Sequence, residues 1–162
     1  MTQIYVFLLL TMGACTLAGC ATSMPASDGG NATTHVVAES RPTTGPAVAR
    51  AALDLLGTPY RYGGSDRDGL DCSGLVQLAH ARIGVQIPRT TSTQYQAARK
   101  VSDELRIGDV LFFKINGRIA HNGIYLGNNR FIHAPSTGKN VTITRTDNPY
   151  FSRRLAGVRR FR

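Results

Sequence analysis

The sequence predicts an α+β fold in which helices come first and an antiparallel sheet follows. Between Pro46 and Lys100 apolar residues recur at helical spacing. After Gly108 they gather into short β-rich runs broken by glycine and asparagine. A third observation bounds the answer. The chain has 162 residues, 42% hydrophobic and 18% charged, enough for one ordinary folded domain and little more.

The first element is not part of that domain. Residues 1–20 read MTQIYVFLLLTMGACTLAGC, and the apolar stretch Ile4 to Leu17 is shorter than the roughly 20 residues a membrane span needs. It has the length of an export-signal core followed by small residues. Leu17-Ala18-Gly19-Cys20 resembles a bacterial lipobox, which implies cleavage before Cys20 and a lipid on its thiol. The competing reading is an apolar N-terminal helix packed on the domain. The n-region departs from the usual pattern in having no Lys or Arg. Ala21 after the lipid-bearing Cys, where Asp would favour the inner membrane, resembles outer-membrane sorting. Residues 21–44 are mostly small and polar and cannot bury enough surface to offset their ordering entropy. The organisation expected is therefore a signal over 1–19, a lipidated N-terminus and tether over 20–44, and a folded domain over 45–162.

Within the domain, Pro46 to Leu56 reads as a helix closed by Gly57. Tyr60 to Gly69 is a loop rich in glycine and aspartate. Asp71 is a natural N-cap for a helix beginning at Cys72, whose Leu75, Leu78 and Ala79 form an apolar stripe. Thr90 or Thr91 caps a further helix running to Lys100. Val110–Phe113, Gly123–Leu126, Arg130–His133, Val141–Thr144 and Gly157–Phe161 read as strands, the second and third joined through Gly127-Asn128-Asn129 as a hairpin.

Charge and cysteine usage narrow the function. The net charge is +9, and residues 45–162 alone carry 18 Lys and Arg against 8 Asp and Glu, or +10. An anionic partner follows: membrane surface, acidic polymer or nucleic acid. The arginines are dispersed and no nucleic-acid motif occurs, so nucleic acid is the weakest of these. Of three cysteines, Cys15 leaves with the signal and Cys20 is lipidated. Cys72 is then the single free thiol of the mature chain, either inert and buried or chemically used.

The hairpin admits several registers, one of which sets His121 opposite His133 on one face of a strand pair. A thiol, an imidazole and an orienting group are what nucleophilic thiol catalysis requires, and a helix N-terminus favours the thiolate. Asp71 opposes that, unless it points into the helix cap. The alternatives are a buried Cys with satisfied strand histidines, or zinc held by Cys72, His121 and His133. Close pairs such as CxxC or HxH are absent, so no metal and no cofactor are expected. His80 reads as a core histidine.

Asp71-Cys72-Ser73-Gly74, His121-Asn122-Gly123-Ile124-Tyr125-Leu126-Gly127 and Phe131-Ile132-His133-Ala134 resemble the three signature blocks of the NlpC-type cell-wall cysteine peptidases. Supporting matches are Gly57 to Gly64, Ile87 to Thr91 and Gly108 to Phe113, all in family order. The resemblance implies a reduced papain-like fold, a catalytic helix packed on an antiparallel sheet. It implies Cys72 as nucleophile, His121 as general base and acid, and His133 as the orienting residue. Tyr60 would help hold the oxyanion, and Asp71 and Ser73 would contact substrate. Asn122 stands where an aliphatic residue is usual; facing away from His121, it should affect the chemistry little. The function implied is a monomeric, lipid-anchored envelope peptidase that cuts peptidoglycan stem peptides. The bond is D-Ala–diaminopimelate or D-γ-Glu–diaminopimelate. The rival is a non-catalytic module that binds peptidoglycan or another anionic glycan.

Overall fold

The computed structural model describes residues 44–162. The expectations for residues 1–43, including cleavage and lipidation at Cys20, lie outside the described residues. Helix α1 (Thr44–Leu53) buries Val48, Ala49, Ala51 and Ala52. It ends three residues before the sequence pattern suggested, and a turn carries Leu55 into the core before Gly57 reverses the chain at φ 82°. The predicted glycine loop holds a small hairpin, β1 (Ser65–Asp66) with β2 (Gly69–Leu70).

Helix α2 (Cys72–Ala81) follows directly, with Asp71 as its N-cap. Its Leu75, Val76 and Ala79 are fully buried against α1 and the sheet. Helix α3 (Thr91–Ala97) is capped by Thr90 and stops before Lys100, because Ala98 turns extended. Arg99 and Lys100 instead form β3 and pair with Arg160 and Arg159, trading helical hydrogen bonds for sheet ones.

The remaining strands are β4 (Val110–Ile115), β5 (Arg118–Gly127), β6 (Arg130–His133), β7 (Thr142–Arg145) and β8 (Leu155–Arg160), with the short helix α4 (Pro149–Ser152) before β8. They form one antiparallel sheet in the order β3-β8-β4-β5-β6-β7. One face, with Val110, Phe112, Ile124 and Ile132, packs on α1 and α2 as the main core. The other carries Leu111, Phe113, Tyr125 and Phe131, covered by Phe151 and Val158. Among the described residues no helix is long and apolar enough to cross a membrane.

Two local features set the site. Hairpin β5–β6 turns at Asn128 and Asn129, both with positive φ (51° and 54°), and pairs Ile124 with Ile132 and Tyr125 with Phe131. His121 is therefore not directly opposite His133, the register that had set them side by side. It pairs with Phe113 on β4. A shift of two residues keeps both histidines on the same face as diagonal neighbours. Next to His121, Ala120 is left over between the Phe113–His121 and Lys114–Ile119 pairs, a β-bulge.

Candidate active site

Cys72 sits at the first position of α2, and its surroundings are fixed by Asp71. That carboxylate accepts the Gly74 N–H at 2.7 Å, the Gly63 N–H at 3.0 Å and the Ser73 hydroxyl at 3.1 Å. It also accepts two bonds from Arg89, at 2.7 and 3.0 Å. Burial pushes the Asp71 carboxyl up, but Arg89 and these donors together hold it below the usual carboxylate range. So Asp71 points into the cap, as expected. Gly74 lets the preceding loop close on the helix, since a Cβ there would lie 2.1 Å from the Gly64 carbonyl oxygen.

The Cys72 sulfur lies 3.5 Å from the Thr91 hydroxyl and 3.8 Å from the carbonyl oxygen of Ala120, the bulged residue. Burial raises its pKa and Asp71 adds to that. Thr91 and the backbone N–H groups of Asn122 and Ser73 oppose the rise. The resting group is a thiol.

The imidazoles approach from the sheet. Nε2 of His121 is 2.9 Å from Nδ1 of His133, and Nε2 of His133 is 3.0 Å from Oγ1 of Thr144. Nδ1 of His121 has no hydrogen-bond partner among the described residues. Phe151 stacks on His121 at 5.8 Å between ring centroids, and Phe131 lies 4.8 Å from His133. This apolar setting lowers the His121 pKa to about 4. It lowers His133 to about 3, with help from His121 and Lys139. Both rings are neutral at neutral pH. Gly123 makes the approach possible: a Cβ there would lie 2.6 Å from the Ile132 carbonyl oxygen and 3.0 Å from the His133 Cβ.

Cys72, His121, His133 and Tyr60 line one cavity of about 580 Å³. Tyr60 and Cys72 also line an adjoining cavity of about 580 Å³, together with Asp71, Ser73 and Arg89. The two make a groove that crosses the thiol. Burial, then Cys72 and Asp71, push the Tyr60 hydroxyl above its ordinary pKa, so it stays a proton donor. All six domain residues anticipated at the site thus lie on this groove. His80 does not: its Nδ1 is 2.8 Å from the Val76 carbonyl and its ring meets Phe161 edge-on, a core role.

No role at the site was legible in the sequence for Arg89, Thr91, Gln94, Lys139 or Thr144, Thr91 being read only as a possible helix cap. Arg89 and Thr91 stood within a block already singled out, and Thr144 could be found only from the register of β7 beside His133. Asn122 faces away from His121, as expected, and its Nδ2 donates to Gln94 Oε1 at 2.7 Å. Gln94 in turn donates to the carbonyls of Ser73 and Pro88 at 3.0 and 2.8 Å. This buried chain ties β5 to the first turn of α2. Among the described residues no group of three or more His, Cys, Asp or Glu is arranged to hold a metal ion.

Comparison with known proteins agrees with this geometry. A probable endopeptidase NlpC homolog from Haemophilus influenzae is 40% identical over 116 residues, covering 70% of this chain and 61% of the relative. Murein DD-endopeptidase MepH of Escherichia coli is 38% identical over 141 residues, covering 80% of this chain and 52% of the relative. The chain thus spans between half and two thirds of the length of these relatives. The crystal structure of the NlpC/p60 domain of the peptidoglycan hydrolase SagA superposes with a TM-score of 0.64 at 31% identity, covering 72% of this chain and 98% of that domain. The sequence model of the NlpC/P60 family matches residues 57–160, which span the thiol, both imidazoles and every strand of the sheet. The chain belongs to the NlpC/P60 family.

Proposed function

We propose that this protein is a peptidoglycan endopeptidase that works through a Cys72 acyl-enzyme, and that Cys20 anchors it by lipid in the bacterial envelope, at the outer membrane. The observation that carries the reading is the relay Thr144–His133–His121 ending at the cavity of Cys72. The family's murein-cutting members support the substrate class. The +10 of residues 45–162 suits an envelope rich in carboxylates.

The mechanism calls for one assignment of protons, which both hydrogen bonds permit. His121 carries its proton on Nε2 and donates to His133 Nδ1, and His133 donates from Nε2 to the Thr144 hydroxyl. That leaves the His121 Nδ1 lone pair free for the thiol. On binding, Nδ1 takes the thiol proton while sulfur attacks the scissile carbonyl carbon. The oxyanion is held by the Cys72 N–H and the Tyr60 hydroxyl. The tetrahedral species collapses as His121 returns the proton to the leaving nitrogen, giving amine and thioester. Water then gives its proton to His121 as its oxygen attacks the thioester, and the thiolate departs and is reprotonated. His133 and Thr144 hold the ring orientation and steady the imidazolium.

MepH, named for murein DD-endopeptidase activity, favours the D-Ala–diaminopimelate crosslink as the bond. Mass spectrometry of fragments released from purified murein tests both bond and mechanism. The expected products are monomers released from crosslinked dimers by the wild type and none by Cys72→Ala. Equal release by the variant sinks the mechanism. A glycan-binding module without turnover would keep its murein affinity after thiol alkylation and release no fragments at any stage.

A further inference from the structure

We propose that Lys139 selects substrates by pairing with a carboxylate on the leaving-group side of the scissile bond, so that a free carboxylate there is preferred over its amide. This rests on the endopeptidase reading. The leaving nitrogen must receive its proton from His121. The leaving group therefore occupies the cavity that His121 and His133 line, not the one lined by Asp71 and Ser73. With both imidazoles neutral, Lys139 is the only charged side chain among the described residues lining that cavity. On the other side the charges cancel, because Arg89 is spent on Asp71.

Lys139 is held at its root and free at its tip. Its N–H donates to the Ser136 carbonyl at 3.1 Å, and its own carbonyl accepts the Tyr60 N–H at 2.8 Å. Asn140 bridges to Pro59 beside it. Its ammonium makes no salt bridge with any described residue, while its charge is felt at His133, behind burial and His121. An unpaired cation on an anchored backbone, lining an otherwise neutral cavity, is a site for an anion. In the crosslink, the leaving amine grows from a carbon that bears a carboxylate, and that group enters this cavity with it. Arginine would serve as well as lysine here, since charge rather than fork geometry is used.

The test uses two crosslinked muropeptide dimers that differ only at the diaminopimelate supplying the leaving amine: one with a free carboxylate there, one with a carboxamide. The full chain should cut the carboxylate dimer with a kcat/KM about tenfold higher, the size of one partly desolvated charge pair. Lys139→Ala should bring that ratio close to one, mainly by raising KM for the carboxylate dimer. Lys139→Arg should keep the ratio and Lys139→Glu should invert it. Calorimetric binding of both dimers to Cys72→Ala, with and without Lys139→Ala, should show the same difference without turnover. An unchanged ratio in Lys139→Ala, or no preference in the wild type, overturns the proposal and leaves the endopeptidase reading standing. Cleavage of neither dimer by the wild type overturns both.

Discussion

Replacing Asp71 by alanine should loosen the start of α2 more than a surface mutation would, and the cost can be worked from its contacts. The cap bond to the Gly74 N–H is worth about 1 kcal/mol, as helix caps usually are. Leaving the Gly63 N–H without its acceptor costs about 1 kcal/mol more. Arg89 then loses both its bonds to the carboxylate. Its side chain is 33% exposed, so water compensates in part, and about 1–2 kcal/mol is a fairer figure than the 3–5 kcal/mol of a fully buried pair. The total is about 3–4 kcal/mol. At about 4 °C per kcal/mol for a domain of this size, Tm should fall by roughly 12 °C or more at pH 7. The Asp71 pKa is depressed in the folded state, so this stabilisation is complete above the ordinary carboxylate pKa and is lost as pH falls through the folded value. The gap between wild type and variant should therefore close in acid. Asp71→Asn keeps an acceptor for Gly74 but cannot take both Arg89 bonds, and should fall between them. Thermal unfolding followed by circular dichroism from pH 7 to pH 3 is the assay. A drop under about 3 °C at pH 7, or a gap that does not narrow in acid, would refute the reasoning.

Gly123→Ala should cost about 2–4 kcal/mol in urea unfolding and most of the activity, because the new Cβ meets backbone at 2.6 Å and displaces His133. Full stability with full activity would show that the sheet yields there. The two imidazoles are held neutral, at about 4 and about 3, so the unfolded chain binds more protons below pH 6.5. Stability should be complete above that value and decline progressively as pH falls towards 4. Removing both rings with His121→Phe and His133→Phe should flatten the decline. Asn122→Val should cost under about 1 kcal/mol and keep activity: it orphans Gln94 Oε1 but also removes Asn122 Oδ1, which is buried without a partner. Iodoacetamide should alkylate Cys72 slowly at neutral pH and faster as pH rises beyond the usual thiol range, because burial favours the protonated form. Fast alkylation at pH 6 would contradict that.

The layered plan was legible in the residues because helical and strand periods occupy separate stretches of the chain. Asp71 announced the start of α2 for a local reason: its short side chain reaches an N–H of the turn that follows it in sequence. The histidine register was not legible, because it depends on which two residues of Gly127-Asn128-Asn129 make the turn. Asparagine enters positive φ more readily than other side-chain-bearing residues, so the three-residue run offers more than one turn. The ambiguity left both histidines on one face because the two registers differ by two residues; a shift of one would have sent His133 to the helix side. Arg89, Gln94 and Thr144 were invisible as functional residues, since each reaches the site through tertiary packing across 11 to 28 positions of sequence. Lys139 was invisible for a different reason: a lone lysine in a polar loop acquires meaning only from the neutral cavity it overlooks.

The backbone staple between residues 57–60 and 139–141 bears on what can enter the groove. Gly57 N–H reaches the Val141 carbonyl, Val141 N–H the Thr58 carbonyl, and Tyr60 N–H the Lys139 carbonyl, at 2.8–3.0 Å. This wall of the groove is thus laced like a sheet edge. Prising it open would mean giving up main-chain hydrogen bonds at about 1 kcal/mol apiece. The wall therefore keeps its place when a chain enters beside it. On the proposed endopeptidase reading, a wall this stiff favours a bare, extended peptide over a folded segment, which would have to bring its neighbours with it.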